Sequence, residues 1–255
     1  MCIESFAINS SILEDERQVY VYLPPETEEA KEMPVIYMQD GQNVFSPCPD
    51  GWGLNETATE LISHGAILPL IIVGIANSPW RDDEYTPSFD VYEGCGGFAD
   101  QYLSFLTDEV FPLVEENYPV SSTREGRAIG GSSLGGLLAL YAVISRPEIF
   151  SRAAILSPSL WWNERDVFDE IEQWQASPSD FRLCFDMGYW EYDEEDEADE
   201  EPHPIEDTDF LCQLLEDKGF TQGLDFQYIT DEEGGHDEES WGKRMEAVLP
   251  FLFSI

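Results

Sequence analysis

The stretch GGSSLGG, Gly130–Gly136, constrains what this chain can fold into more than any other segment. The run RAIGG enters it as a β-strand, and LLALYAVI leaves it as a helix. A strand that turns straight into a helix needs small residues, because the backbone must bend without side-chain clashes. A G-x-S-x-G frame fits only Gly131, Ser133 and Gly135; centred on Ser132 it would need glycine where Leu134 stands. In this setting the turn presents Ser133 Oγ above the sheet edge as a nucleophile, with Ser132 as the spacer before it. The amide of Leu134, the first of the new helix, points to where an oxyanion would form. A phosphate loop is ruled out, since G-x-x-x-x-G-K-[ST] needs a lysine and none lies nearby.

The elements around the hinge alternate between strand and helix, the pattern of a mostly parallel sheet covered on both faces. RQVYVYLPP alternates as a strand closed by a proline pair, while MPVIYMQ and LPLIIVGIA are short apolar runs expected of buried central strands. NETATELISHG reads as a helix with Asn55 as N-cap and Gly65 as stop. NSPWRDDEYTPSFDVYEGCGG reads as a long polar and aromatic loop, and residues 98–117 as a helix that Pro112 kinks or breaks. Further strands are predicted at SRAAILSPS, FRLCFDMG and DFQYITDEEGGH, and helices at LGGLLALYAVISRP, DVFDEIEQW, EDTDFLCQLLEDKG and SWGKRMEAVLPFLFSI. The whole chain, residues 1–255, is expected to form one α/β domain of about eight strands. An acidic insertion at about 191–209 interrupts it: twelve acidic residues and no Lys or Arg, a block expected to be solvated.

A serine nucleophile needs a base, and the chain has three histidines. His64 ends a helix as a surface or capping residue, and His203 lies between two prolines in the acidic block. His236 follows Gly234 and Gly235 after the last strand, where the order Ser…acid…His places the base. The acid should follow the strand FRLCFDMG. Glu191 is the first choice, three residues past Gly188, with Asp193 and Asp186 as alternatives. A second oxyanion donor is expected from QDGQNVF, where Gly41 permits a tight turn and Gln42 supplies the amide. Asp40 and Asn43 are read as side-chain caps of that turn. Trp161 and Trp162, after SPSL, are candidates to line a substrate pocket, with a packing role open for one of them.

Composition narrows the partners. A net charge of −41, from 53 acidic and 12 basic residues, would repel nucleic acid and anionic membranes. It suits a halophilic, salt-rich cytoplasm, where counterions screen self-repulsion; binding of cations or of a basic partner is the other reading. The N-terminus shows no signal-peptide pattern, and no apolar run approaches the ~18 residues of a membrane span. The five cysteines form no CxxC and read as free thiols, although Cys48 and Cys95 both fall in loops and could pair. The acidic block lacks calcium-loop spacing, so no metal site is expected.

Four segments together resemble one family. YMQDGQNVF, IIVGIANSPWRDDEYTPS, GGSSLGGLLALYAVISRPEIFSRAAILSPSLWW and GGHDEESWGKRMEAVLPFLF are similar, in the same order, to the putative-esterase family of α/β-hydrolases. That family includes esterase D-type, feruloyl and enterochelin esterases. The resemblance implies an α/β-hydrolase fold, no cofactor and a small-molecule ester substrate, possible branches being siderophore or acylated-sugar esters. It implies Ser133 as nucleophile, His236 as base, Glu191 as acid and the Leu134 and Gln42 amides as oxyanion hole. It also matches Arg81 to an arginine at the active-site mouth of the siderophore-cleaving branch, although Asp82, Asp83 and Glu84 are close enough in sequence to neutralise it. The acidic insertion, which begins at Glu191, departs from the family pattern. An acyltransferase on the same triad and a non-catalytic binding module on the same fold are the alternatives.

Overall fold

A computed structural model describes residues 2–25, 32–191 and 204–254. Eight strands form one sheet: β1 (Cys2–Asn9), β2 (Glu16–Leu23), β3 (Val35–Met38), β4 (Ile71–Ile75), β5 (Arg127–Ser132), β6 (Arg152–Leu156), β7 (Arg182–Trp190) and β8 (Phe226–Gly235). Their spatial order is β1-β2-β4-β3-β5-β6-β7-β8. β2 pairs antiparallel with β1 and β4, and from β4 across to β8 each strand runs parallel to the next. This is the α/β-hydrolase arrangement.

The apolar central strands follow from two covered faces. In β3, Val35 and Tyr37 enter the core beneath helices Ala99–Phe105, Phe111–Asn117 and Leu134–Ser145, which bury Tyr102, Val114 and Leu137 against them. Ile36 and Met38 enter the opposite core, closed by helices Leu54–Ser63 and Glu238–Phe253 through Ala58, Met245 and Leu249. Side chains that alternate across a strand therefore all find apolar partners. The parallel strands all end on one side of the sheet, so the loops after β3, β5, β6, β7 and β8 gather there.

Several expectations change in detail. The edge strand β1 was not expected, and six of its eight residues stay exposed at the sheet margin, without alternation. The helix at 54–63 is capped by Gly53 at φ 57°, while Asn55 is buried inside its first turn; His64 is its C-cap and Gly65, at φ 68°, stops it. The long loop contains a short helical turn, Arg81–Glu84, and a two-stranded ribbon, Phe89–Asp90 against Cys95–Gly96. Around Pro112 the helix does not break. A π-helical turn at Leu106–Val110 intervenes, in which the Phe111 amide donates to the Leu106 carbonyl, and Pro112 falls in the first turn of the next helix, where its missing N–H costs nothing. The tail of the acidic segment is not a solvated insertion: Pro204 begins a helix to Asp217, and Asp207 is buried against Arg165 at 3.0 Å. The rest of that segment, with Asp193 and His203, lies outside the described residues. All five cysteines are free, Cys48 and Cys95 included. Among the described residues no helix is long and apolar enough to cross a membrane.

Candidate active site

Ser133 sits where β5 becomes the helix Leu134–Ser145, with φ 57° and ψ −126°. Such a backbone costs an L-residue roughly 1–3 kcal/mol and persists only where its surroundings hold it. Here they do. The Ser133 amide donates to the Leu156 carbonyl at 3.0 Å, and its own carbonyl accepts from the amides of Gly136, Leu137 and Ser159. The glycines make the bend sterically possible: a Cβ on Gly131 would stand 2.7 Å from Gly135, and one on Gly136 would stand 2.7 Å from the Leu156 carbonyl. Ser132 is buried within β5, whereas Ser133 Oγ faces a cavity of about 270 Å³ and lies 3.3 Å from Ser159 Oγ.

Glu191 and His236 line the same cavity. His236 Nδ1 lies 2.5 Å from Glu191 Oε2, an arrangement in which a proton on Nδ1 leaves Nε2 as the free acceptor. His236 makes no hydrogen bond to Ser133 among the described residues, as is common where catalytic contacts tighten only around substrate. The imidazole ring rests against Trp241, 4.9 Å between centroids and nearly perpendicular. Glu191 is buried at 2% side-chain exposure, and its other oxygen accepts from Ser157 Oγ at 2.7 Å and from the Gly188 amide at 2.8 Å. Burial alone would raise its pKa, but the hydrogen bonds from His236, Ser157 and Gly188 outweigh that and hold the carboxyl below its ordinary value.

Two residues around Glu191, Arg244 and Ser157, were given no role by the sequence. Arg244, on the closing helix, is 5% exposed and reaches Glu191 Oε1 at 3.3 Å and Asp186 Oδ2 at 3.2 Å. Ser157 donates to Glu191 and accepts from Trp241 Nε1 at 2.9 Å and Arg244 Nη2 at 3.1 Å. A Lys-Arg pair on an amphipathic helix reads as surface, and only the packing of Glu238–Phe253 onto the sheet turns Arg244 inward. Asp186, an alternative acid, does not face His236; its contacts are Arg244 and the Ser157 amide.

The loop after β3 lies next to the elbow. Gln42 belongs to a short helical turn, Gly41–Val44, and neither its amide nor that of Leu134 has a hydrogen-bond partner among the described residues. Leading amides of a helical turn have no acceptor within it, so both remain open to an external oxygen. Gly41 is needed for close approach rather than for turning: a Cβ there would meet Gly74 and Ile75 backbone atoms of β4 at 2.3–2.4 Å. The left-handed residue is its neighbour Asp40, at φ 53°. Neither Asp40 nor Asn43 caps the turn by its side chain. Asn43 donates to Glu238, and Asp40 accepts from Asn77 Nδ2 at 2.6 Å and from Arg81 Nε and Nη2, both at 2.9 Å.

Arg81 is thus paired with Asp40, with Asp82 only at 3.9 Å, and it lies over the Tyr85 ring. The two tryptophans separate. Trp161, 38% exposed, lines the Ser133 cavity; Trp162 is buried and donates its indole N–H to the Ser88 carbonyl, away from that cavity.

Comparison with known proteins finds relatives along nearly the whole chain. The chain is 28% identical over 244 residues to the uncharacterized protein YbbA of Bacillus subtilis, covering 93% of this chain and 92% of that one. It is 32% identical over 175 residues to the siderophore triacetylfusarinine C esterase of Aspergillus fumigatus, covering 62% of this chain and 57% of the relative, so the match spans just over half of that protein. The crystal structure of the BES protein from Bacillus cereus superposes with a TM-score of 0.78 at 20% identity, over 99% of this chain and 95% of that one. The family described as "Putative esterase" matches residues 10–252. The chain belongs to that family and is an esterase on an α/β-hydrolase sheet.

Proposed function

We propose that the chain hydrolyses small carboxylic esters by transferring the acyl group to Ser133 and then to water. His236 Nε2 takes the Ser133 proton as Oγ attacks the ester carbonyl carbon. The tetrahedral oxyanion is held by the Leu134 and Gln42 amides, each such donor being worth roughly 3–4 kcal/mol of transition-state stabilisation. The C–O bond then breaks, the alcohol leaves with the proton from His236, and water repeats the sequence on the acyl-enzyme. Glu191 keeps the proton on Nδ1 and stabilises the imidazolium that forms. The observation that carries this reading is the 2.5 Å contact from Glu191 to His236, with both on the cavity that Ser133 Oγ faces.

In the same reading, Arg81 acts on the oxyanion loop and not on substrate. Its Nε and Nη2 are already engaged by Asp40, the residue just before the Gly41–Val44 turn. Trp161 offers an apolar wall for the acyl or alcohol part. A siderophore-type ester is the favoured substrate class, supported by the name of the fungal relative. Ser133→Ala should abolish hydrolysis of p-nitrophenyl acetate, whereas Ser132→Ala should retain it. Equal activity in the two variants would overturn the assignment.

A further inference from the structure

At the end of the sheet opposite Ser133, a second cavity of about 210 Å³ is lined by Arg124, Arg152 and Arg182, with Ser151, Phe181, Glu125 and Asp180 at its wall and rim. β5 alone, running from Arg127 to Ser132, separates it from the elbow by on the order of 20 Å. Three arginines together are unexpected in a chain with 12 basic and 53 acidic residues. Of the nine arginines in the sequence, six have a carboxylate within 4.0 Å: Arg17, Arg81, Arg127, Arg146, Arg165 and Arg244. The three that have none among the described residues are the three that line this cavity.

Their placement is built into the sheet. Arg152 opens β6 and Arg182 opens β7, and the two are register partners on adjacent parallel strands. Like charges placed directly side by side repel, and burial together with Arg182 depresses the Arg152 pKa. Each guanidinium is anchored by one nitrogen to a carbonyl: Arg124 to Pro147, Arg152 to Leu252, and Arg182 to Phe181 at 3.1 Å. Arg124 also lies over the Phe181 ring at 4.9 Å and Arg152 over Phe253 at 5.7 Å. The forks are thus held in place while most of their N–H donors have no partner among the described residues, and a fork of that kind matches the paired oxygens of an oxyanion. The volume is below the roughly 300–1,000 Å³ of pockets for drug-sized ligands, which restricts the occupant to a small group.

We propose that the Arg124–Arg152–Arg182 cavity is a binding site for a small multivalent oxyanion of the phosphate type, separate from the ester site. The shared chemistry is a tetrahedral phosphoryl group, whose source is free phosphate or the phosphate of a phosphomonoester. Glu125 and Asp180 are exposed rim carboxylates that form no ion pair within 4.0 Å of these arginines, and they compete with the anion for the cluster.

The test is titration of the full chain with inorganic phosphate and, separately, glycerol phosphate, at constant ionic strength set with KCl. Phosphorus NMR line width and the unfolding midpoint are the two readouts. Saturable binding with a rising midpoint is expected, because a ligand of the folded state stabilises it by mass action. Arg152→Gln and Arg182→Gln should each weaken binding by about tenfold or more, having removed a charge-assisted donor pair. The Glu125→Gln, Asp180→Asn double variant keeps every arginine and should bind more tightly. Tighter binding of glycerol phosphate than of phosphate identifies a phosphomonoester as the source, and equal binding identifies free phosphate. Three outcomes would overturn the proposal: no saturable binding, equal binding by wild type and both arginine variants, or a double variant that is destabilised and binds no phosphate. The last would mean that Glu125 and Asp180 hold the arginines in place rather than compete with an anion for them.

Discussion

Asp186 and Glu191 leave the same strand five residues apart, both buried and both touching Arg244 and Ser157, yet they have opposite electrostatic characters. Asp186 is wholly buried, and that burial outweighs Arg244 and the Ser157 amide to push its pKa up to about 7. Glu191 is held below its ordinary value because His236, Ser157 and Gly188 all hydrogen-bond to its charged form. Two carboxylates that share one guanidinium cannot both be fully charged at low cost, and the one with more donors keeps the charge. A proton resting on Asp186 leaves the Arg244 charge directed at Glu191. In this arrangement Asp186 and Arg244 are positioning residues for the carboxylate that meets His236.

The largest expected effect separates the two acids directly. Glu191→Gln should lower kcat/KM on the order of 10³–10⁴-fold, the scale at which an amide in the acid's place spoils the imidazole tautomer. Asp186→Asn should cost less than about tenfold, since it touches His236 only through Arg244 and Glu191. Similar losses in the two variants, measured by p-nitrophenyl ester kinetics, would erase the distinction.

Removing the shared partner comes next. Arg244→Met should destabilise the fold by about 3–5 kcal/mol in denaturant titration, because a buried ionised group loses its counter-charge. Adding Asp186→Asn to that variant should recover little of the loss, since a protonated Asp186 has no charge to strand and the stranded carboxylate is Glu191. Full recovery would show that Asp186, not Glu191, carries the charge that Arg244 balances. Ser157→Ala should cost about 1–3 kcal/mol, as it strips one donor from Glu191 and the acceptor of the Trp241 indole. If unfolding is unchanged, the Glu191 carboxylate does not depend on that hydroxyl.

The last contrast lies in pH dependence. Because the Asp186 pKa is raised from 3.8 to about 7, the folded state binds more protons than the unfolded state between those values. Its contribution is fully present below about pH 4 and declines as pH rises through 7, with a slope no steeper than about 1.4 kcal/mol per pH unit. Glu191, with its pKa lowered from 4.5, contributes in the opposite sense and loses its stabilisation as pH falls below that value. Asp186→Asn should therefore flatten the decline between pH 5 and 7 in unfolding experiments. An unchanged slope would mean that Asp186 is already charged across that window.

The strand–helix turn at Ser133, the placement of His236 on the same cavity and most of the sheet were legible because each rests on a local pattern. Gly131, Ser133 and Gly135 sit at a strand–helix junction that the flanking apolar runs announce, and His236 follows a Gly-Gly pair after the last strand. β1 was not legible because an exposed margin strand needs no hydrophobic period. Arg244 was hidden for a different reason: its neighbour Lys243 is 67% exposed, and only the docking of the helix decides which of the two turns inward. The Arg81–Asp40 pair spans 41 positions in sequence, so it could not be read from the nearer carboxylates at Asp82, Asp83 and Glu84, of which Asp82 comes to 3.9 Å. Local chemistry showed where the site would be, while the long-range ion pairs that hold it emerged only from packing.

Ser133, activated from His236 and Glu191, is the proposed nucleophile. Intact-mass analysis and peptide mapping after treatment with a fluorophosphonate probe test this assignment most directly. One adduct is expected, mapped to Ser133, which persists in Ser132→Ala and is lost in Ser133→Ala. No adduct on the wild-type chain, or an adduct on Ser132, would contradict it.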